Sequence, residues 1–431
     1  MQLVEQHVIG TSDPRYAAID AAAFASKNLY NAANYELRQT FIRTGRFLSY
    51  PQLDKLMQSH EAYRALPAKV SQWVLKGLVK NWESFREAQK SYERNPSNFT
   101  GRPGLPKYKY KSEGRNLLVY TIQALSRTGL KRGLIQPSQL PIEIQTRHAS
   151  HCEQVHIVPR KGYYVVEVIY EKAVQQASVN PAYYAGIDIG VNNLAALASN
   201  KPGFVPVVIN GRPVKSTNQF YNKRKAELQS KLGHTGTTKR MERLTTTRNR
   251  RIDHYLHTVS KRIIKLLVKE GIGTLVIGKN DDWKQGIEMG KRNNQNFVQI
   301  PHARFIQMLT YKAQLMGICV ILTEESYTSK ASFLDYDPLP VYNAKNSSKP
   351  IFSGRRIERG LYRAADGRLI NADVNGAYNI IRKVAPDAFM QVEGVEDGKG
   401  MLPSLVVNPV RVVIPRTKPE NKCLALKVSD H

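Results

Sequence analysis

Between residues 182 and 385, short apolar runs alternate with helix-patterned stretches, and this alternation limits the fold more than any other feature of the chain. "YYAGIDIGVNNLAALAS" and "FVPVVINGRPV" have the length and residue types of strands. A strongly basic helical region follows from Ser216 to Glu270. Then come the strand "TLVIG", the helix "IPHARFIQMLTYKAQLMG", the strand "CVILTEES", an irregular segment from 328 to 366 and a helix starting near Asp373. Strands that alternate with helices after leading hairpin strands predict an α/β layer fold.

The N-terminal part reads differently. Residues 1–10 resemble one strand, and Asp13 as N-cap with Pro14 at the first helical position predicts a helix after it. A second helix is expected near Pro51. A third starts at Pro67, where Val70, Trp73, Val74, Leu78, Trp82 and Phe85 recur at helical spacing. From Asn116 to Val174 the pattern is that of strands, with a hairpin turning at Arg160-Lys161-Gly162. A lone strand, a helical block and more strands predict a β-barrel (1–10 and 115–178) with a helical insert and basic linker (11–114). Residues 386–431 form a C-terminal tail without legible elements. At 431 residues the chain is expected to hold two or more domains.

A formal charge of +29 separates the function classes. A surface so rich in unpaired Lys and Arg releases counterions on meeting phosphates, so nucleic acid is the expected partner. Membrane binding is not expected: the basic residues run throughout the chain, and no apolar run nears the roughly 20 residues of a spanning helix. The N-terminus is no secretory signal, so a cytoplasmic, nucleoid-associated protein is expected. Three scattered cysteines exclude a disulfide framework and a cysteine-rich zinc site. In "NPSNFTGRPGLPKYKYKSEGRN", Arg102, Lys107, Lys109 and Lys111 interleave with Tyr108 and Tyr110, which suits phosphate contact with base stacking. The basic helices add Lys223, Arg224, Arg248, Arg250 and Arg251.

Two acids stand out. In "AGIDIGVNN" the strand period puts Asp188 on one face with Gly186 and Gly190, where another backbone or a phosphate has room to approach. In "LINADVNGAYNIIRK" Asp373 falls in a helix's first turn, where backbone amides favour the ionised form. Two acids on separate elements of an α/β unit, in so basic a chain, suit Mg²⁺-dependent phosphodiester hydrolysis, with two ions about 3.5–4 Å apart.

"GIDIGVNNLA", "TLVIG" before a helix ending "YKAQLMGI", "SYTSK" and "DVNGAYNI" resemble, in that order, the RuvC-type nuclease motifs of TnpB proteins. These are RNA-guided endonucleases of small insertion sequences, related to type V CRISPR effectors. The resemblance implies an RNase H-like nuclease domain (179–327 and 367–385). It also implies that the barrel is a wedge domain carrying a helical recognition insert, and that 328–366 is a target-nucleic-acid-binding insert, with Tyr327 and Lys330 of "SYTSK" among its contacts. Its partners would be a guide RNA made from the transposon end and double-stranded target DNA. Asp188 and Asp373 match the family's first and third catalytic acids.

Two departures matter. Where the family carries a four-cysteine zinc ribbon, this chain has Ser332 and Asp335, then Arg363 and Asp366, so zinc is not expected. The family's second acid is a Glu ending the strand that here reads "TLVIG", and Gly278 stands in its place. The gap has three readings. The nuclease is dead and the protein is a guided repressor; or Asp281 or Asp282 reaches back from the next loop; or a glutamate of the following strand, Glu325 before Glu324, fills the vacancy. A crossover would lay that strand parallel to "TLVIG", about 4.8 Å away. The leading expectation is an active endonuclease with Asp188, Glu325 and Asp373 as metal ligands. A transposase or resolvase acting without RNA is the remaining class.

Overall fold

In the computed structural model, which describes residues 1–279, 295, 298–341, 350–389 and 408–414, the chain forms two units, one within Met1–Lys172 and one within Ala173–Lys418. Strand β1 (Gln2–Gly10) leads into helices α1 (Tyr16–Thr44), α2 (Tyr50–Met57), α3 (Glu61–Arg64) and α4 (Ala68–Arg94). Helix α1 begins later than Asp13-Pro14 predicts. The Asp13 carboxylate accepts from the backbone N–H and Nε of Arg15, at 3.0 and 2.8 Å, and so closes the turn before the helix instead of capping it. Ser49 and Gln52 form a capping box at α2. In α4, Val70, Val74, Leu78 and Trp82 are buried as their spacing predicts, while Trp73 and Phe85 are half-buried.

After the helices come β2 (Leu118–Thr121), α5 (Arg127–Lys131), β3 (Leu134–Ile135), β4 (Ile144–Gln145), β5 (Cys152–Arg160) and β6 (Tyr163–Glu171). The β5–β6 turn falls at Lys161-Gly162, with Gly162 at φ +78°, a left-handed conformation that glycine adopts without steric cost. The sheet runs β1-β6-β5-β2, antiparallel throughout. It is open at β1 and β2, so its strand pairing does not close into the expected barrel. Residues 122–151 form short helical turns and two-residue strands, too short to bridge the two edges. Ile9, Leu118, Val155 and Val166 of the sheet share one core with Leu29, Leu75 and Trp82 of the helices. Helical insert and sheet are therefore one hydrophobic unit.

The second unit holds β7 (Asn180–Asp188), β8 (Asn193–Ser199), β9 (Val207–Asn210), α6 (Arg212–Leu232), α7 (Lys239–Lys269), β10 (Ile272–Gly278), α8 (His302–Leu315), β11 (Cys319–Thr323), β12 (Arg355–Glu358), β13 (Leu361–Arg363), β14 (Leu369–Asn371), α9 (Ala372–Val384) and β15 (Val410–Val412). It starts before residue 179 because Gln175 and Ala177 donate backbone N–H groups to Leu315 and Met316 at the end of α8. The sheet order is β11-β10-β7-β8-β9-β15. Strand β10 lies parallel to both β11 and β7, and β7, β8 and β9 run antiparallel. Strand β15, from the tail whose elements are not legible in the sequence, pairs with β9.

Strand parity sorts the core into two layers. Ala185, Ile187, Leu197, Leu275 and Ile277 pack against Leu256, Ile263 and Leu267 of α7 and Phe305 and Leu309 of α8. Ala196, Ala198 and Val208 face Val374, Ala377, Tyr378 and Ile381 of α9. Gly186 allows that second layer its depth: a Cβ there would lie 2.1 Å from the carbonyl oxygen of Ala377. No described helix is long and apolar enough to cross a membrane.

Candidate active site

Three parallel strands end together. Ile187 of β7 pairs with Ile277 of β10, and Gly278 pairs with Thr323 of β11, so Asp188, Gly278 and the residues after Thr323 share one rim of the sheet. The crevice outside the carboxyl ends of parallel strands is the usual ligand position in open α/β sheets. Asp188 points towards α9, where Gly376 leaves it space: a Cβ at 376 would sit 2.9 Å from Asp188 Oδ2. Burial pushes the Asp188 carboxyl well above its ordinary range. The negative charges of Asp373 and Glu325 push it further, and Arg356 offsets part of this.

Glu325 occupies the space that a side chain at 278 would need. A Cβ on Gly278 would lie 2.7 Å from Glu325 Oε2 and 2.8 Å from Ile380 Cδ1 of α9. Burial raises the Glu325 carboxyl to about 7. Parity predicts opposite faces for Glu324 and Glu325, but β11 ends at Thr323 and both acids turn towards α9. The Glu324 carboxylate takes the Lys383 ammonium on one oxygen and the Ser326 N–H, at 2.8 Å, on the other. It is committed away from the rim. Asp281 and Asp282 lie outside the described residues.

Asp373 sits in the first turn of α9, which Asn371 caps by accepting from the N–H groups of Asp373 and Val374 at 3.1 and 3.2 Å. One Asp373 oxygen accepts from Asn193 Nδ2 at 2.7 Å, and the other faces Arg356 of β12 at 3.4 Å. Neither contact is signalled by any local motif: Arg356 and Asn193 reach Asp373 through the fold. Among the described residues, no three His, Cys, Asp or Glu side chains stand close enough to hold one ion. In donor chemistry the set does fit a hard divalent cation, since all three groups are carboxylates whose mutual repulsion a cation would relieve.

At the positions of the family's zinc cysteines the protein bonds to itself. The buried Asp337 carboxylate accepts from the Ser332 N–H at 2.7 Å and from the N–H and hydroxyl of Ser353. Asp335 accepts from the Ala365 N–H at 2.9 Å, Asp366 pairs with Arg368, and Arg363 lies opposite Arg355 across the β12–β13 ladder. Helix α9 braces the same segment: Asn375 bridges Phe333 N and Ala331 O, and Asn379 donates to Thr328 O and Ala331 O.

The basic candidates divide into outward-facing and internally engaged. Residues 106–111 run along α1, where Asn34, Asn31 and Lys27 donate to the carbonyls of Pro106, Lys109 and Lys111. With its backbone held there, the linker exposes Arg102, Lys107, Tyr108, Tyr110 and Lys111. Lys109 folds back instead, 4.8 Å over the Tyr30 ring. Lys223 and Arg251 are exposed, Arg250 is half-buried, and Arg224 pairs with Glu227. Arg248 is structural, donating to Asn218 Oδ1 at 2.8 Å and to the Gln299 carbonyl at 2.9 Å. Lys330 is exposed, and Tyr327 takes a left-handed φ of +64° with its ring 5.9 Å from Phe352.

Residues 167–284 match the family described as probable transposase, OrfB_IS605, and residues 302–380 match the family described as Cas12f1-like, TNB domain. The TnpB-like protein ORF457 of Acidianus two-tailed virus is 24% identical over 396 residues, covering 83% of this chain and 81% of that protein. A solved Cas12f1–sgRNA–target DNA complex superposes with a TM-score of 0.50 at 14% identity, covering 84% of this chain and 81% of that one. At such identity the structural likeness is one of fold alone. Two matched families along the second unit, together with a TnpB-like relative along most of the chain, agree with the motifs at the strand ends: the chain is similar to TnpB proteins over most of its length.

Proposed function

We propose that this protein is an RNA-guided DNA endonuclease whose second unit is an RNase H-like, RuvC-type nuclease, with Asp188, Glu325 and Asp373 as its metal-binding carboxylates. The observation that carries the reading is the Glu325 carboxylate lying over Gly278, on the rim it shares with Asp188. A glutamate moved from the end of β10 to just past β11 reaches the same crevice from the neighbouring strand. Mg²⁺ held there, as one ion or two, would help to form a hydroxide nucleophile and to stabilise the leaving oxygen of a phosphodiester. The chain itself supplies oxygen ligands from β7, from just past β11 and from α9. Gly278 and Gly376 leave those ligands room.

The domain reading follows the same lines. Residues 1–10 and 115–172 are the wedge, 11–114 the recognition insert and linker, and 328–366 the target-nucleic-acid insert. Arg355 opposite Arg363 supports the last assignment, because like charges across a ladder disfavour each other until an anion such as phosphate lies between them. The relative solved with an sgRNA and target DNA supports RNA and DNA as partners.

One observation favours a second reading, guided binding without cleavage: Asp373 is engaged by Asn193 and Arg356. A single experiment separates the two. The protein, purified with co-expressed transposon-end RNA, is incubated with a matching plasmid and Mg²⁺. Cleavage that disappears in Asp188→Ala, Glu325→Ala and Asp373→Ala is the expected result. Cleavage surviving Glu325→Ala but not Glu324→Ala or Asp281→Ala moves the site, and guide-dependent binding without cleavage establishes the second reading.

A further inference from the structure

Helix α9 presents Asp373, Gly376, Ile380 and Lys383 at successive spacings of three, four and three residues, so they lie along one stripe. Each member meets a different part of the rim. Asp373 is itself one of the proposed ligands. Gly376 makes the space that Asp188 Oδ2 occupies. Ile380 places its Cδ1 2.8 Å from where a Cβ on Gly278 would stand. Lys383, its side chain only 5% exposed, holds the Glu324 carboxylate. The other Glu324 oxygen takes the Ser326 N–H at 2.8 Å, so the chain is tied on both sides of Glu325.

Resting on the reading of Glu325 as a relocated metal ligand, we propose that Lys383 is a positioning residue for it. By drawing Glu324 to the last turn of α9, it sets the backbone at 325 so that the second glutamate lies over Gly278. Because β11 has already ended at Thr323, its ladder does not hold residues 324–326; the Glu325 carbonyl accepts from the N–H and hydroxyl of Thr328 at 3.2 and 2.9 Å, and the Lys383 contact adds the tie on the Glu324 side. The helix that brings Asp373 therefore also selects which glutamate joins it.

The test uses the full chain freed of nucleic acid, with Mn²⁺ binding followed by the loss of the free-ion EPR signal. Guide-dependent target binding and melting temperature are measured in parallel. Lys383→Met is expected to weaken Mn²⁺ binding about 10-fold or more, the usual effect of losing a group that orients a ligand. Melting temperature and target binding stay near wild type, and Lys383→Arg restores the affinity. Glu324→Gln is the second variant, with the same expected direction, should Lys383→Met fold poorly. Combining Lys383→Met with Glu325→Gln adds nothing to Glu325→Gln alone if Lys383 acts through Glu325. Wild-type Mn²⁺ affinity in both Lys383→Met and Glu324→Gln overturns the positioning role while leaving Glu325 as a ligand. Wild-type affinity in Glu325→Gln overturns both.

Discussion

A glutamate introduced at residue 278 would begin 2.7 Å from Glu325 Oε2 and 2.8 Å from Ile380 Cδ1. Gly278→Glu, although it restores the family's residue, is therefore expected to destabilise the protein by about 1–3 kcal/mol through overpacking and like-charge contact, and to abolish cleavage. Gly278→Glu with Glu325→Ala removes the like-charge contact and the crowding by Oε2, leaving only the flexible end of Ile380 to shift, and should recover cleavage, read on a matched plasmid with urea unfolding alongside. The same crowding sets a pH signature. Burial raises Glu325 from its ordinary 4.5 to about 7, so its protonated form stabilises the folded, metal-free protein. That contribution is fully present below about 4.5 and is lost as pH rises through about 7. The melting temperature of wild type relative to Glu325→Gln should fall across this window. Mn²⁺ affinity should climb across it, because the ion competes with the proton. Asp188 shifts in the same direction, so Glu325→Gln removes only part of the effect. The vacancy at 278 is legible in the sequence as a strand with no terminal acid. Its occupant depends on where β11 ends, and nothing in "TEES" marks Thr323 as the last ladder residue.

At the scale of elements, α9 does more than its sequence shows. The apolar period of "DVNGAYNII" predicts a buried face and places Asp373 in the first turn, as found. Asparagine is a poor helix former in a helix interior. Yet Asn375 and Asn379 are fully buried and satisfy the backbone of residues 328–333, a long-range pairing no local pattern encodes. The same holds for Asn31 and Asn34 of α1, which hold the basic linker and so decide that Lys107 and Lys111 face out while Lys109 faces Tyr30. Asp337 is the clearest case, since it accepts from Ser332 and Ser353 beside the positions where zinc cysteines would stand. Asp337→Ala strands those buried donors and should cost about 1–3 kcal/mol for each one left unpaired. A zinc chelator should leave the melting temperature of the wild-type protein unchanged. A drop on chelation alone would show that a metal holds the insert instead.

Across the whole molecule the charge of +29 says that phosphate is the partner but not which cations meet it. Their number in the sequence is the same whether a side chain faces water or the protein. Arg248 and Arg251 show the difference three residues apart on α7. Arg251 is exposed, whereas Arg248 donates to Asn218 and to the Gln299 carbonyl and lies 5.6 Å over the Tyr221 ring. An exposed cation that neutralises a phosphate releases a counterion, which gives the logarithm of affinity a slope of about −0.9 per contact against the logarithm of salt on duplex DNA. Lys107→Ala, Lys111→Ala and Arg251→Ala, singly, should each weaken RNA or target binding and flatten that slope by up to about one, with unfolding unaffected. Arg248→Ala should do the reverse. It leaves the buried Asn218 amide oxygen without its donor and the Gln299 carbonyl with only Asn218 Nδ2 at 3.5 Å, so stability falls by about 1–3 kcal/mol while the salt slope of the folded fraction holds. Filter binding from low to high salt, paired with urea unfolding of each variant, separates the two outcomes. A flattened slope for Arg248→Ala at wild-type stability would put that guanidinium on the nucleic acid after all. The arginine would then have to leave Asn218 when the complex forms.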